Sequence, residues 1–147
     1  MAENLEKEEL LKQVTTTRKA LPMNRISDRY SWLKVSGLTA DIGACGYYRV
    51  VNPLHLLMQH GATVDYSSVQ NIADLAHSDV IVAPRQCSME VYDNLRRLQF
   101  DGKSVFYELD DDLHSVLKSS PASSVYYKGS ESLVAVEKFI SSSHGLT

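Results

Sequence analysis

The sequence predicts an α/β fold: a Rossmann-like parallel sheet with helices on both faces, forming a single domain. Three observations carry this expectation. Short apolar runs, "SWLKVSG", "ATVDY", "DVIVAP" and "KSVFYEL", are separated by segments with helical spacing of their apolar residues. Strands alternating with helices in this way build βαβ units, whose strands lie parallel and whose helices cover the sheet. Finally, 147 residues with 44% hydrophobic content suffice for one core and are too few for two ordinary domains.

Taken in order, residues 1–30 are expected to be an N-terminal helical arm and linker. Leu5, Leu10, Leu11 and Val14 fall on one side of a helix within a Glu- and Lys-rich stretch, and the pattern lapses from Pro22 to Tyr30. The Rossmann-like domain is assigned to 31–147. Its first strand, "SWLKVSG", should end at Gly37, before a loop containing Gly43 and Gly46. In "NPLHLLMQHG", Asn52 is the expected helix cap, Pro53 suits the first turn and Gly61 suits the position after the end. "ATVDY" follows as a strand, and "VQNIADLAHS" as a short helix or turn. "DVIVAP" has the β-branched continuity of a strand buried on both faces. Ser88 is placed to cap a helix lined by Val91, Leu95 and Leu98, which "DG" at Asp101 and Gly102 should end. After the strand "KSVFYEL" come a short helix, an irregular stretch from Ser119 to Ser130, and a last helix near Ser132 to Ile140.

Composition narrows the function classes. A formal charge of -3 gives no general attraction to nucleic acid or to an anionic membrane. Cys45 and Cys87 neither build a disulfide framework nor have zinc-site spacing, so both read as free thiols in a reducing compartment. No apolar run approaches the roughly 18 residues of a membrane span, and "MAENLEKEELLKQ" is charged where a signal peptide has its apolar core. A cytoplasmic protein is the expectation.

In a parallel sheet of this kind, ligands bind beyond the carboxyl ends of the strands. Three segments fall there: the Gly43 to Arg49 loop, "PRQC" at Pro84 to Cys87, and Asp110 to Asp112. "GACGYYR" sets glycines near a helix start, where N–H groups favour an anion, and Arg49 can add a bidentate contact. A tight structural turn is the competing reading. For Asp110, Asp111 and Asp112 four readings stand: Asp112 capping the helix at Leu113, a DxD pair holding a divalent cation, a general base with a raised pKa, or carboxylates gripping substrate hydroxyls. Arg85 and Gln86, directly after a buried strand, are read either as an exposed polar pair facing a ligand or as caps of a neighbouring element. His55 and His60 lie on different helix faces, against a metal pair. Tyr47, Tyr48, Tyr126 and Tyr127 are candidates for stacking on a sugar or base, or for packing.

The run "ACGYYRVVNPLHLLMQHGATV", then "DVIVAPRQCS", then "GKSVFYELDDDL", resembles the N-terminal half of GT-B glycosyltransferases related to the group 1 (family 4) enzymes. The likeness spans about Trp32 to Pro121. It implies an acceptor-side half that works with a nucleotide-sugar-binding half, supplied by a second polypeptide or a C-terminal domain not represented in "SSSHGLT". It also implies sugar acceptor and nucleotide-sugar donor as ligands, and no cofactor or bound metal. Gly43, Gly46, Tyr48 and Arg49 would then lie at the cleft beside the transferred sugar or acceptor, with Asp110, Asp111 and Asp112 lining the acceptor side. Two other classes remain open: a metal-dependent phosphoryl or nucleotidyl enzyme using the aspartates, and a non-catalytic binding or assembly domain that kept the fold.

Overall fold

The computed structural model describes residues 25–39, 46–67, 75–109 and 112–146. In chain order the regular elements are β1 (Lys34–Leu38), α1 (Asn52–Gln59), β2 (Thr63–Ser67), β3 (Val80–Pro84), α2 (Met89–Phe100), β4 (Ser104–Glu108), α3 (Glu131–Ser142) and β5 (Gly145–Leu146). All strand pairs are parallel, in the order β2-β1-β3-β4-β5. The expected α/β parallel sheet is therefore present, and the expected helical arm, with Leu5, Leu10, Leu11 and Val14, lies outside the described residues.

Alternation along the strands divides the core in two. Ile81 and Ala83 of β3, with Val105 and Tyr107 of β4, point into a cluster completed by Val91, Leu95 and Leu98 of α2 and Leu133, Val136 and Phe139 of α3. Val80 and Val82 point the other way, into a cluster with Val35, Val50, Leu54 and Leu57. Thus α1 covers one face and α2 and α3 the other. The chain passes from β1 outward to β2, then back across β1 to β3, so the strand order reverses between β1 and β3. A crevice opens at such a reversal on the carboxyl edge.

The helices start as their sequences dictate, with one exception. Ser88 Oγ accepts from Val91 N–H, and Ser130 Oγ accepts from Leu133 N–H, each capping an orphan donor. Asn52, the expected cap of α1, instead has helical backbone angles and makes no side-chain cap. Helical geometry begins earlier, through a π turn over Tyr47–Val51 in which Asn52 N–H donates to Tyr47 O. Pro53 explains the widening: it has no N–H for the preceding turn and its ring crowds that turn's carbonyl.

Gly61 ends α1 at φ 99°, where a Cβ would meet Asp28 Cα at 3.0 Å and Ser27 O at 3.1 Å. Only glycine fits that conformation and that approach without strain. The segment from Arg25 to Tyr30, expected to be linker, is tied down here. Ile26 N–H donates to Gln59 O and Tyr30 N–H to His60 O, and Ser27 Oγ bonds His60 Nδ1.

The fifth strand was not expected. "SSSHGLT" has no apolar run, yet Gly145 and Leu146 pair with Phe106 and Tyr107. His144 prepares the pairing: its N–H donates to Val105 O at 2.8 Å, and its Nδ1 accepts from Val105 N–H at 3.0 Å. No helix among the described residues is long and apolar enough to cross a membrane.

Candidate functional site

Register alignment brings the ends of three strands to one edge. Gly37 of β1 lies beside Val82 of β3, and Pro84 of β3 lies beside Glu108 of β4. Ser104, Phe106 and Glu108 share the sheet face that α1 covers at β1, so Glu108 ends β4 facing the level of the π turn.

Arg49 projects from that turn and its Nη1 donates to Glu108 Oε1, closing a link between residues 59 positions apart. The Glu108 side chain is 9% exposed and that of Arg49 40%. The pair is consequently sealed on the carboxylate side and open on the guanidinium side. Glu108 Oε2 is buried and has no hydrogen-bond partner. A buried acceptor left in that state is costly, most of all on a charged group.

Next to the pair the chain leaves β3 by a sharp turn. Arg85 adopts φ 48°, a left-handed conformation that costs a residue with a Cβ about 1–2 kcal/mol. Two contacts hold it. Arg85 N–H donates to Glu108 O at 2.9 Å, and Gln86 turns inward, its Nε2 donating to Leu38 O at 2.8 Å and Pro84 O at 3.2 Å. An exposed polar pair was one expectation at this point. Gln86 is instead 2% exposed and ties together the ends of β1 and β3, because their last carbonyls need donors that the sheet no longer supplies. Gln86 O in turn accepts from Tyr107 Oη at 2.9 Å. Tyr107 is fully buried and stacked on Phe139 with ring centroids 4.9 Å apart; burial, above all, pushes its phenol pKa up.

The remaining expected residues divide. Gly46 lies directly before the π turn and is buried. Tyr48 is 68% exposed, and its ring meets that of Tyr47 edge to face at 5.4 Å. Gly43, Asp110 and Asp111 lie outside the described residues. Asp112 takes the capping role: Oδ1 accepts from His114 N–H and Oδ2 from Ser115 Oγ, at the start of the 3-10 turn Leu113–Ser115. The Ser115 hydroxyl bond, then the His114 N–H bond, hold its carboxyl below the usual range. Tyr126 packs partly against the core, while Tyr127 is exposed. Among the described residues no group of three or more His, Cys, Asp or Glu is placed to hold a metal ion.

No family model, no curated protein and no solved structure matches the chain. The candidate site therefore stands on its geometry. The structure bonds Arg49 and Arg85 to Glu108, with Gln86 tying the adjacent strand ends, and Glu108 is a residue that the sequence reading passed over as the end of a strand. Its signal was present: a lone carboxylate in an otherwise apolar run, on the same strand face as Phe106, two residues before the acidic segment begins at Asp110.

Taken together, the edge offers an exposed aromatic surface at Tyr47 and Tyr48, a guanidinium at its rim, and a carboxylate oxygen beneath with unused acceptor capacity. Aromatic rings accept the apolar faces of sugars, and carboxylates accept from hydroxyls. Such a set can bind a polyhydroxylated ligand.

Proposed function

We propose that this chain is the acceptor-side domain of a GT-B-like glycosyltransferase, binding a sugar or sugar-bearing acceptor at the carboxyl edge of its sheet, with a separate half supplying the nucleotide-sugar donor. One observation carries the reading. The "GYYR" and "YELDDD" segments, which carry the resemblance, are linked by the Arg49–Glu108 ion pair beside the strand-order reversal. The roles of Tyr48 and Arg49 follow from that position: Tyr48 provides a stacking surface, and Arg49 lies at the rim where an anionic or hydroxyl-bearing group would arrive. Asp110 and Asp111 follow Glu108 by only a few residues and enter the proposal as acceptor-side carboxylates. Asp112 contributes by fixing the turn after them.

Saturation-transfer NMR of the purified chain tests this. With methyl α-D-glucopyranoside, methyl α-D-mannopyranoside, UDP-glucose and GDP-mannose, each with and without Mg²⁺, the expected result is metal-independent binding of the simple glycosides. Binding of nucleotides only with Mg²⁺ would favour a metal-dependent phosphoryl or nucleotidyl enzyme. Binding of none would favour an assembly domain.

A further inference from the structure

We infer that Glu108 is a ligand-binding carboxylate: its inner oxygen accepts a hydrogen bond from a hydroxyl of the bound sugar, while Arg49 holds its outer oxygen. This deepens the function proposed above and rests on it. Oε1 is occupied by Arg49, whereas Oε2 is buried and has no donor, although the side chain as a whole is more than nine-tenths enclosed. Buried carboxylate oxygens are normally paired, because the desolvation of an unmatched charge is not otherwise offset. The other buried polar groups of this edge are paired: both Gln86 donor bonds land on strand-end carbonyls, and Tyr107 donates to Gln86 O. Glu108 Oε2 is the exception, and it sits on the edge of the sheet where ligands of this architecture bind.

The chemistry of the missing partner follows from its geometry. It must be a donor, which excludes phosphate and carboxylate groups as direct partners of Oε2 at neutral pH. It must also be compact and neutral, since a second cation beside Arg49 would meet like charge. A secondary hydroxyl satisfies both conditions. Arg49, bonded to Oε1 and 40% exposed, is the side of the pair that a ligand meets first. Its long stem can move aside while keeping its bond to Oε1, since arginine offers several donors in a fork. Arg49 is on this reading a positioning residue that holds Glu108 in place through Oε1.

The test measures the affinity of the intact chain for methyl α-D-glucopyranoside, methyl α-D-mannopyranoside and their monodeoxy analogues, for wild type, Glu108→Gln and Arg49→Met. One deoxy analogue should bind the wild type at least about tenfold more weakly than its parent, the loss expected for a hydrogen bond to a charged group. In Glu108→Gln, parent and deoxy analogue should bind equally. In Arg49→Met the difference should persist, although overall affinity falls, because the accepting oxygen remains. A structural role for Glu108 would instead leave the deoxy penalty unchanged in Glu108→Gln, and that result overturns the inference while sugar binding itself stands. Failure of every glycoside to bind the wild type overturns both this inference and the function on which it rests. Should Glu108→Gln not fold, the double variant Glu108→Gln/Arg49→Met removes both charges together, and it too should lack the deoxy penalty.

Discussion

Gly37 places the π turn, and replacing it with alanine measures how closely that turn is fitted to the sheet. A Cβ at Gly37 would clash with Val50 Cγ1 and lie 2.7 Å from Leu54 Cδ1. Val50 belongs to the π turn and Leu54 to α1, so both contacts push the same unit away from β1. Val50 is 1% exposed and has no room to yield. Overpacking of a tight core costs about 1–3 kcal/mol. Against this, alanine lowers the entropy of the unfolded chain relative to glycine, a gain of about 0.4–1 kcal/mol. The net loss is about 1–2 kcal/mol, or about 2–8 °C in Tm for a domain of this size. Urea denaturation followed by circular dichroism reads it. A second variant checks the cause. Val50→Ala alone should destabilise through the cavity it leaves, but Gly37→Ala/Val50→Ala should be less destabilised than the sum of the two, by about 1 kcal/mol, because the new methyl enters the vacated space. Neutral or stabilising behaviour of Gly37→Ala, or strict additivity of the pair, would refute the close approach of the π turn to β1.

Further outcomes follow from the same edge. Arg49→Met strands the Glu108 carboxylate in a largely buried position and should cost about 2 kcal/mol, below the loss for a fully enclosed pair because Arg49 is partly solvated; an unchanged urea midpoint would contradict the pairing. Tyr107→Phe keeps the stack on Phe139 but removes the donor to Gln86 O, for an expected loss of about 1–2 kcal/mol by the same assay; no loss would mean that this carbonyl has another donor. Asp112 should titrate below the usual carboxylate range in a ¹³C-detected NMR titration. Since its folded-state pKa is depressed, its contribution is complete above the unfolded-state value and fades as the pH falls through the folded one. A midpoint at or above the usual range would show that the Ser115 and His114 bonds do not form.

The parts of the fold that could be read in the sequence are those with local causes. The strand "DVIVAP" announces itself through β-branched continuity, and α2 through its Ser88 cap, its buried Val91, Leu95 and Leu98, and the Asp101–Gly102 stop. Asp112 as a helix-start cap was legible for the same reason, since capping acts over two or three residues. What escaped depends on partners far along the chain. Strand β5 exists because β4 offers an open edge and His144 matches the donor and acceptor of Val105, and neither fact is visible in "SSSHGLT". The early start of helical geometry before α1 was hidden because "NP" mimics a helix beginning, while Pro53 actually forces a wider turn ahead of it. For Gln86 the sequence left two readings open, an exposed residue facing a ligand or a cap of a neighbouring element, and could not choose between them. Only the three-dimensional convergence of Leu38 O and Pro84 O gives its amide a reason to turn inward. Glu108 showed only as a lone carboxylate in an apolar run, and its partner is 59 residues away.

The proposed sugar site lies at the carboxyl edge, around the Arg49–Glu108 pair. ¹H–¹⁵N correlation spectra of the chain, titrated with methyl α-D-mannopyranoside or methyl α-D-glucopyranoside, test it most directly. The expected result is a saturable shift of the amides of Gly46 to Val51, Arg85 and Glu108, with those of Phe100 to Lys103 at the opposite edge unmoved. Shifts confined to that opposite edge, or none at saturating glycoside, would contradict it.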